Sequence, residues 1–228
     1  MKLQRIVFGE PKPGGPVFAT LLKGLDESIS YCNYTGPLQH DRVTDVPLTV
    51  PILGLNFRHP TDLKLISAPP ATGDHWGMFA WHHVELYVTG AKDGCIPEQH
   101  QFCVGLCRDI YVLDSSAPQT WDEFQVTAGV CWGLKFQDKT AYVVFRGSDD
   151  KLDWLRDLTG IDHAAEGVVD HDKFGRMWDG FVIGMAETWK AIKPLLAGLD
   201  AVVFTGHSLG AAHADVAAGL ALLELNGG

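Results

Sequence analysis

The spacing of apolar and polar positions divides this chain into short apolar runs and longer periodic stretches. Val202-Val203-Phe204 is a β-rich apolar run of the kind a parallel strand buried on both faces shows. Thr140–Phe145 is a second such strand. Ala211, Ala212, Ala214, Val216, Ala217, Ala218, Leu220, Ala221 and Leu222 follow the first run as strong helix formers. They predict a helix from Leu209 to about Leu225, small enough in its side chains to pack close under a sheet. Phe181, Met185, Trp189, Ile192 and Leu196 recur at steps of three and four and predict a helix over 177–196. Cys103, Leu106, Cys107 and Ile110 do the same over 97–113. Residues 124–134 alternate loosely and predict one strand, followed by a turn at 137–139. Residues 76–92 read as extended, and 160–173 as a polar loop. Leu152, Leu155 and Leu158, with Trp154 beside them, predict a short amphipathic helix.

The N-terminal third reads differently. Pro11, Pro13, Pro16, Pro37, Pro47, Pro51, Pro60, Pro69 and Pro70 punctuate it and disfavour long helices. Short strands fit 5–8, 47–55 and 63–66. Residues 1–75 are therefore expected to form an irregular, Pro-rich, β-containing extension without a chemical motif. Residues 76–228 are expected to form the main domain. Its later part runs strand, helix, helix, strand, helix. That is the rhythm of an α/β fold with a mainly parallel sheet flanked by helices.

The chain has 228 residues and 46% hydrophobic content, enough for one sizeable core. Its net charge of −10 leaves no electrostatic footprint for nucleic acid or an anionic membrane, and favours a neutral substrate over a polyanionic one. No apolar run approaches a membrane span. The N-terminus lacks the pattern of a secretory signal, so a cytoplasmic setting is the default expectation. Cys32, Cys95, Cys103, Cys107 and Cys131 are an odd set, which suggests free thiols. Cys103 and Cys107 read as core residues. His75, His82 and His83 lie close in sequence, but neighbours on a strand face opposite ways, so no metal or other cofactor is expected.

The chemistry concentrates at Gly206-His207-Ser208-Leu209-Gly210, between the predicted last strand and last helix. G-x-S-x-G in that setting is a nucleophile elbow, a turn tight enough to demand glycine on either side of an exposed serine hydroxyl. Arg146-Gly147-Ser148 stands at the C-terminal end of the 140–145 strand, where open α/β sheets handle ligands. The amphipathic segment 149–158 follows and is a candidate lid over an apolar pocket.

Taken in order, Ala141–Ser148, Asp153-Trp154-Leu155 with Asp157-Leu158, Trp178-Asp179-Gly180-Phe181 and Gly206–Ala211 resemble the class 3, fungal-type lipase family of α/β-hydrolases. The resemblance covers about residues 97–228. It implies an α/β-hydrolase-like fold and hydrolysis of a lipid or other carboxylic ester through a serine acyl-enzyme. It implies Ser208 as nucleophile, with the Leu209 N–H and Ser148 as oxyanion donors. Asp157 would orient Ser148, and Leu152, Trp154 and Leu155 would cover the substrate. His207, beside the serine, is expected to be packed rather than to act as base, and His213 to point away.

In α/β-hydrolases the acid and the histidine follow the serine. Here Asp215 and Glu224 are the later acids, and no histidine follows His213. The fold is therefore expected to stop after the nucleophile helix, with the catalytic Asp and His unassigned. Three readings stay open: a piece of a longer lipase, a relative that recruits a base upstream from His163, His171, His75, His82 or His83, or a non-catalytic module. Val202–Phe204 would then be an open sheet edge that needs a partner or a missing segment to cover it.

Overall fold

The computed structural model describes residues 1–36, 39–45, 59, 61–68, 82–94, 96–112, 121–147, 168–171 and 174–225. Among these residues the centre is an eight-stranded sheet in the order β3-β2-β1-β10-β7-β6-β5, with β4 also paired to β2. The strands are β1 (Lys2–Phe8), β2 (Glu27–Gly36), β3 (Gln39–His40), β4 (Leu63–Ile66), β5 (Glu123–Thr127), β6 (Val130–Gln137), β7 (Thr140–Phe145) and β10 (Ala201–His207). Strands β4, β2, β1, β10 and β7 run parallel, and β5, β6 and β3 add antiparallel margins. This is the expected mainly parallel α/β sheet with flanking helices.

Both faces of the sheet are covered, which is why its central strands are apolar on both sides. Along β7, Ala141, Val143 and Phe145 face one core and Tyr142 and Val144 the other. Along β10, Val202 and Phe204 oppose Val203 in the same way. The first core lies under α1 (Pro16–Leu22), α5 (Met185–Ile192) and α6 (Leu209–Leu225); the second lies under α2 (Val84–Asp93) and α3 (Glu98–Asp109). Helix α6 is buried on nearly every turn through small residues, as its all-round apolar sequence requires. No helix among the described residues is long and apolar enough to cross a membrane.

The largest departure from expectation is at the N-terminus. Residues 2–8 do not lie apart from the main sheet. They form β1, parallel to β10, with Lys2 opposite Ala201 and Phe8 opposite His207. β10 is therefore no open edge: β7 covers one side and β1 the other. Ile6 and Phe8 enter one core while Leu3 and Val7 enter the other, so β1 carries the pattern of a doubly buried strand.

Four smaller expectations are corrected. Residues 84–93 are helical, because Val84, Tyr87, Val88 and Ala91 fall at helical spacing and put Tyr87, Val88 and Ala91 in the core. Residues 124–134 make two strands, since Ala128 (φ 49°) and Gly129 (φ 85°) form a two-residue turn between β5 and β6. Within 160–173, residues 168–171 form β8 (Val168–His171), paired with β9 (Gly175–Trp178). The single helix expected over 177–196 is thus shortened by β9 and broken between α4 (Asp179–Val182) and α5. The break is at Gly184, φ 75°, where a Cβ would lie 2.3 Å from the Ala128 carbonyl oxygen of the neighbouring hairpin.

An ionic cluster ties β1 to its neighbours. Arg5 shares a face of β1 with Leu3 and Val7 and is fully buried. Its guanidinium pairs with Glu10 and with Asp215 of α6, and donates to Ser28 Oγ at 3.1 Å and Ser30 Oγ at 3.0 Å on β2. Burial opposes the guanidinium charge, but the two carboxylates outweigh it and hold Arg5 above its ordinary range. Burial likewise works against the Glu10 carboxylate, and Arg5 overrides it and keeps that group low. Asp215 is pushed up, first by burial and then by the Glu10 charge, against the pull of Arg5.

Two outcomes are expected from this core. Arg5→Met, which strands two buried carboxyls, should lower unfolding free energy by about 3–5 kcal/mol in urea titrations; a loss below about 1 kcal/mol would show that the cluster does not hold β1 in place. His213 of α6 is buried, and burial pushes its pKa down to about 4 despite a hydrogen bond with the Gly180 backbone. The unfolded chain takes up this proton near pH 6.5 while the folded chain does not. Stability should therefore fall as pH drops from about 6.5 to about 4, by up to roughly 3 kcal/mol. His213→Gln should flatten that slope. Identical stability losses for both chains between pH 7 and pH 4.5 would contradict it.

Candidate active site

β10 ends at His207 and α6 begins at Leu209, leaving Ser208 alone in the turn with φ 61°. A non-glycine residue held at positive φ is strained by about 1–3 kcal/mol and persists where its surroundings enforce it. They do so here by close approach. A Cβ on Gly206 would lie 2.2 Å from the Gly210 carbonyl oxygen, and one on Gly210 would lie 2.2 Å from that of Phe145. The Ser208 N–H donates to the Phe8 carbonyl of β1 at 3.1 Å. Strand β1 thus holds the elbow from one side and β7 from the other.

The end of β7 reaches the same place. A Cβ on Gly147 would lie 2.7 Å from the His207 carbonyl oxygen, 3.2 Å from Ser208 Cβ and 2.2 Å from Tyr111 Oη. The Arg146-Gly147 segment therefore passes directly against the elbow. Leu209 is the first residue of α6, so its N–H has no acceptor within the helix.

The third component comes from the N-terminal half. His82 Nδ1 lies 2.6 Å from Asp41 Oδ2, both side chains being buried. Asp41 also accepts a hydrogen bond from Tyr87 Oη, and its Oδ1 accepts the Val43 N–H at 2.9 Å. With Nδ1–H given to the carboxylate, the neutral ring leaves its Nε2 lone pair bare, and Nε2 is buried without a hydrogen-bond partner among the described residues. The pair stands over the ends of the elbow strands. Gly9 directly follows β1, and a Cβ on it would lie 2.8 Å from Asp41 Oδ2 and 2.9 Å from His82 Cε1. The His82 ring stacks on that of His207 at 4.5 Å, and His207 Nε2 lies 2.7 Å from the His82 carbonyl oxygen. Serine, imidazole and carboxylate are gathered at one end of the sheet, the set of groups that serine-nucleophile chemistry draws on.

Among the described upstream candidates, His82 is the one that lies against the elbow. His83 stands at the residue before α2 and is half-buried. His171 lies on β8. His213 is packed in the other core, its ring 6.3 Å from that of Phe145. His207 is buried and bonded as a packed residue. Ser148, Leu152, Trp154, Leu155, Asp157, His75 and His163 lie outside the described residues. No motif marks Asp41 in the sequence, and it precedes Ser208, whereas the family resemblance implies an acid after the serine. The signal that points to Asp41 is β1 itself, whose Ile6-Val7-Phe8 run is apolar on both faces and leads into Gly9. Cys103 and Cys107 on α3 are inert core thiols, both pushed up by burial, Cys107 to about 12.

Residues 142–225 match the class 3 lipase family. No curated protein matches the chain. The structure of the Rhizomucor miehei triacylglyceride lipase is similar over 54% of this chain and 52% of that chain, at 22% identity and a TM-score of 0.37. The present chain thus corresponds to about half the length of that lipase. The matched family segment takes in most of β7, the whole of β10, the Ser208 elbow and α6. Over residues 142–225 this chain is similar to the class 3 lipase family.

Proposed function

We propose that this chain is a serine carboxylic-ester hydrolase of the lipase type, with Ser208 as nucleophile, His82 as general base and Asp41 as the acid that orients it. The observation that supports this most directly is the His82 ring. Its Nδ1 is held by a buried carboxylate, its Nε2 is unpartnered among the described residues, and it is stacked against the residue that precedes Ser208.

In this reading Ser208 Oγ attacks the ester carbonyl carbon while its proton passes to His82 Nε2. Asp41 stabilises the imidazolium that forms, as the carboxylate of a serine triad does. The carbonyl oxygen becomes an oxyanion and takes hydrogen bonds from the Leu209 N–H and from Ser148. Such a donor contributes about 2.7–4 kcal/mol in the transition state. The tetrahedral intermediate collapses, the alkoxide leaves with the proton from His82, and the acyl group stays on Ser208. Water then attacks with His82 again as base, and the acid is released. Asp157 would hold the Ser148 hydroxyl, and residues 149–158 with Leu152, Trp154 and Leu155 would cover an acyl chain. The substrate class is a neutral lipid or other carboxylic ester, in keeping with a net charge of −10. No cofactor is required by this chemistry.

The test is hydrolysis of p-nitrophenyl esters together with labelling by a fluorophosphonate. Ser208→Ala and His82→Ala should each lose about 10⁴-fold or more in kcat, and Asp41→Asn a loss of similar order. Labelling should vanish in Ser208→Ala. Equal rates and equal labelling for the unsubstituted chain and Ser208→Ala would refute the reading and favour a non-catalytic role for the elbow.

A further inference from the structure

The base of the triad lies between the end of the N-terminal half and α2, far from the elbow in sequence, and something must hold the two together. The geometry points to His207 as the positioning residue that does so, through its hydrogen bond to the main chain of His82. This inference rests on the Ser208–His82–Asp41 reading and extends it.

The ring of His207 is 1% exposed, and its hydrogen-bonding roles follow from its partners. Nε2 lies 2.7 Å from the carbonyl oxygen of His82, which can only accept, so Nε2 carries the proton. In the neutral ring Nδ1 is then the acceptor, and Tyr111 Oη at 3.2 Å is placed to donate to it. Tyr111 is itself confined, because its hydroxyl occupies the space a Cβ on Gly147 would need. With Nε2 committed to the His82 carbonyl, His207 is not available as the base, although it adjoins Ser208 in sequence.

The same ring also packs against the base. Its plane lies at 28° to the His82 ring with centroids 4.5 Å apart. Tyr87 meets it edge-on at 5.4 Å and Tyr111 at 6.0 Å. Tyr87 in turn donates to Asp41. Base, acid and elbow are thus joined by one set of contacts, and the hydrogen-bonded side-chain link between base and elbow among the described residues runs through His207. The Nε2–H bond spans 125 residues of sequence and acts on the residue adjoining the nucleophile. Loss of that bond would free the His82 main chain to move relative to Ser208 Oγ. A misplacement of about 1 Å at a reacting pair is enough for roughly a 10²-fold loss of rate. Substrate binding would be little affected, because His207 offers no free polar atom to a substrate.

The experiment compares His207→Leu, His207→Gln and Tyr111→Phe in the full chain, with p-nitrophenyl ester kinetics, fluorophosphonate labelling rate and thermal melting. Glutamine places an amide N–H near the position of Nε2, whereas leucine fills the space without a donor. His207→Leu should lose about 10²-fold in kcat and in labelling rate, with KM within a few-fold. His207→Gln should recover most of that loss, and Tyr111→Phe should fall between the unsubstituted chain and His207→Leu. Unchanged kcat in His207→Leu, or equal losses in the leucine and glutamine variants, would overturn the assignment. Should His207→Leu fail to fold, a His207→Gln variant that melts normally but labels about 10²-fold more slowly also overturns it. Absence of Ser208-dependent labelling in the unsubstituted chain would instead remove the triad reading, and this inference with it.

Discussion

The parallel pairing of β1 with β10 is the constraint on which the rest of this molecule depends. Its register sets Phe8 opposite His207 and so brings the Phe8 carbonyl to the Ser208 N–H. It buries the flank of β10 that would otherwise be an unpaired edge. It also carries Gly9 to the point where Asp41 and His82 close over the elbow. Shift that register by one residue and every side chain of β1 changes face, exchanging Leu3 and Val7 for Ile6 and Phe8 and turning Arg5 away from Asp215. The Arg5 cluster opposes such a slip, since a buried charge without its counter-charges costs several kcal/mol.

The site is assembled from four parts of the chain that meet only through this sheet. β10 and α6 supply the serine, and β7 supplies the strand end that lies against it. The segment after β3 supplies Asp41, and the approach to α2 supplies His82. In the proposed triad the order along the chain is acid, base, nucleophile, whereas α/β-hydrolases place the acid and the histidine after the serine. Sheet pairing depends on adjacency and direction, not on covalent order. The parallel neighbour of β10 on the side away from β7 is β1, the first strand of the chain.

Local pattern was a good guide wherever an element's environment is uniform along its length. β7 and β10 read as doubly buried strands, and α6 as a buried helix, because most positions along them are buried. Local pattern failed where a contact from another part of the chain decides the outcome. The 177–196 helix breaks at Gly184 because the carbonyl of Ala128 takes the space. Residues 84–93 carry β-branched and aromatic side chains that suggest a strand, yet their spacing and burial against β2 and α3 make a helix. The prolines of the first 75 residues argue against long helices, and none stands among the described residues there, but they say nothing about whether the short strands between them join the main sheet.

By itself, the sequence determined the elbow: glycine at 206 and 210 around Ser208, a β-rich run before it and a small-residue helix after it. Those requirements are steric and local, and they can be read from neighbouring residues. Only the tertiary structure decided which of the described acids and histidines stand beside that elbow. Asp41 and His82 have no local mark to distinguish them from the chain's other acids and histidines. They are selected by the pairing of strands some 200 residues apart, and such a contact leaves no periodicity in the sequence on either side.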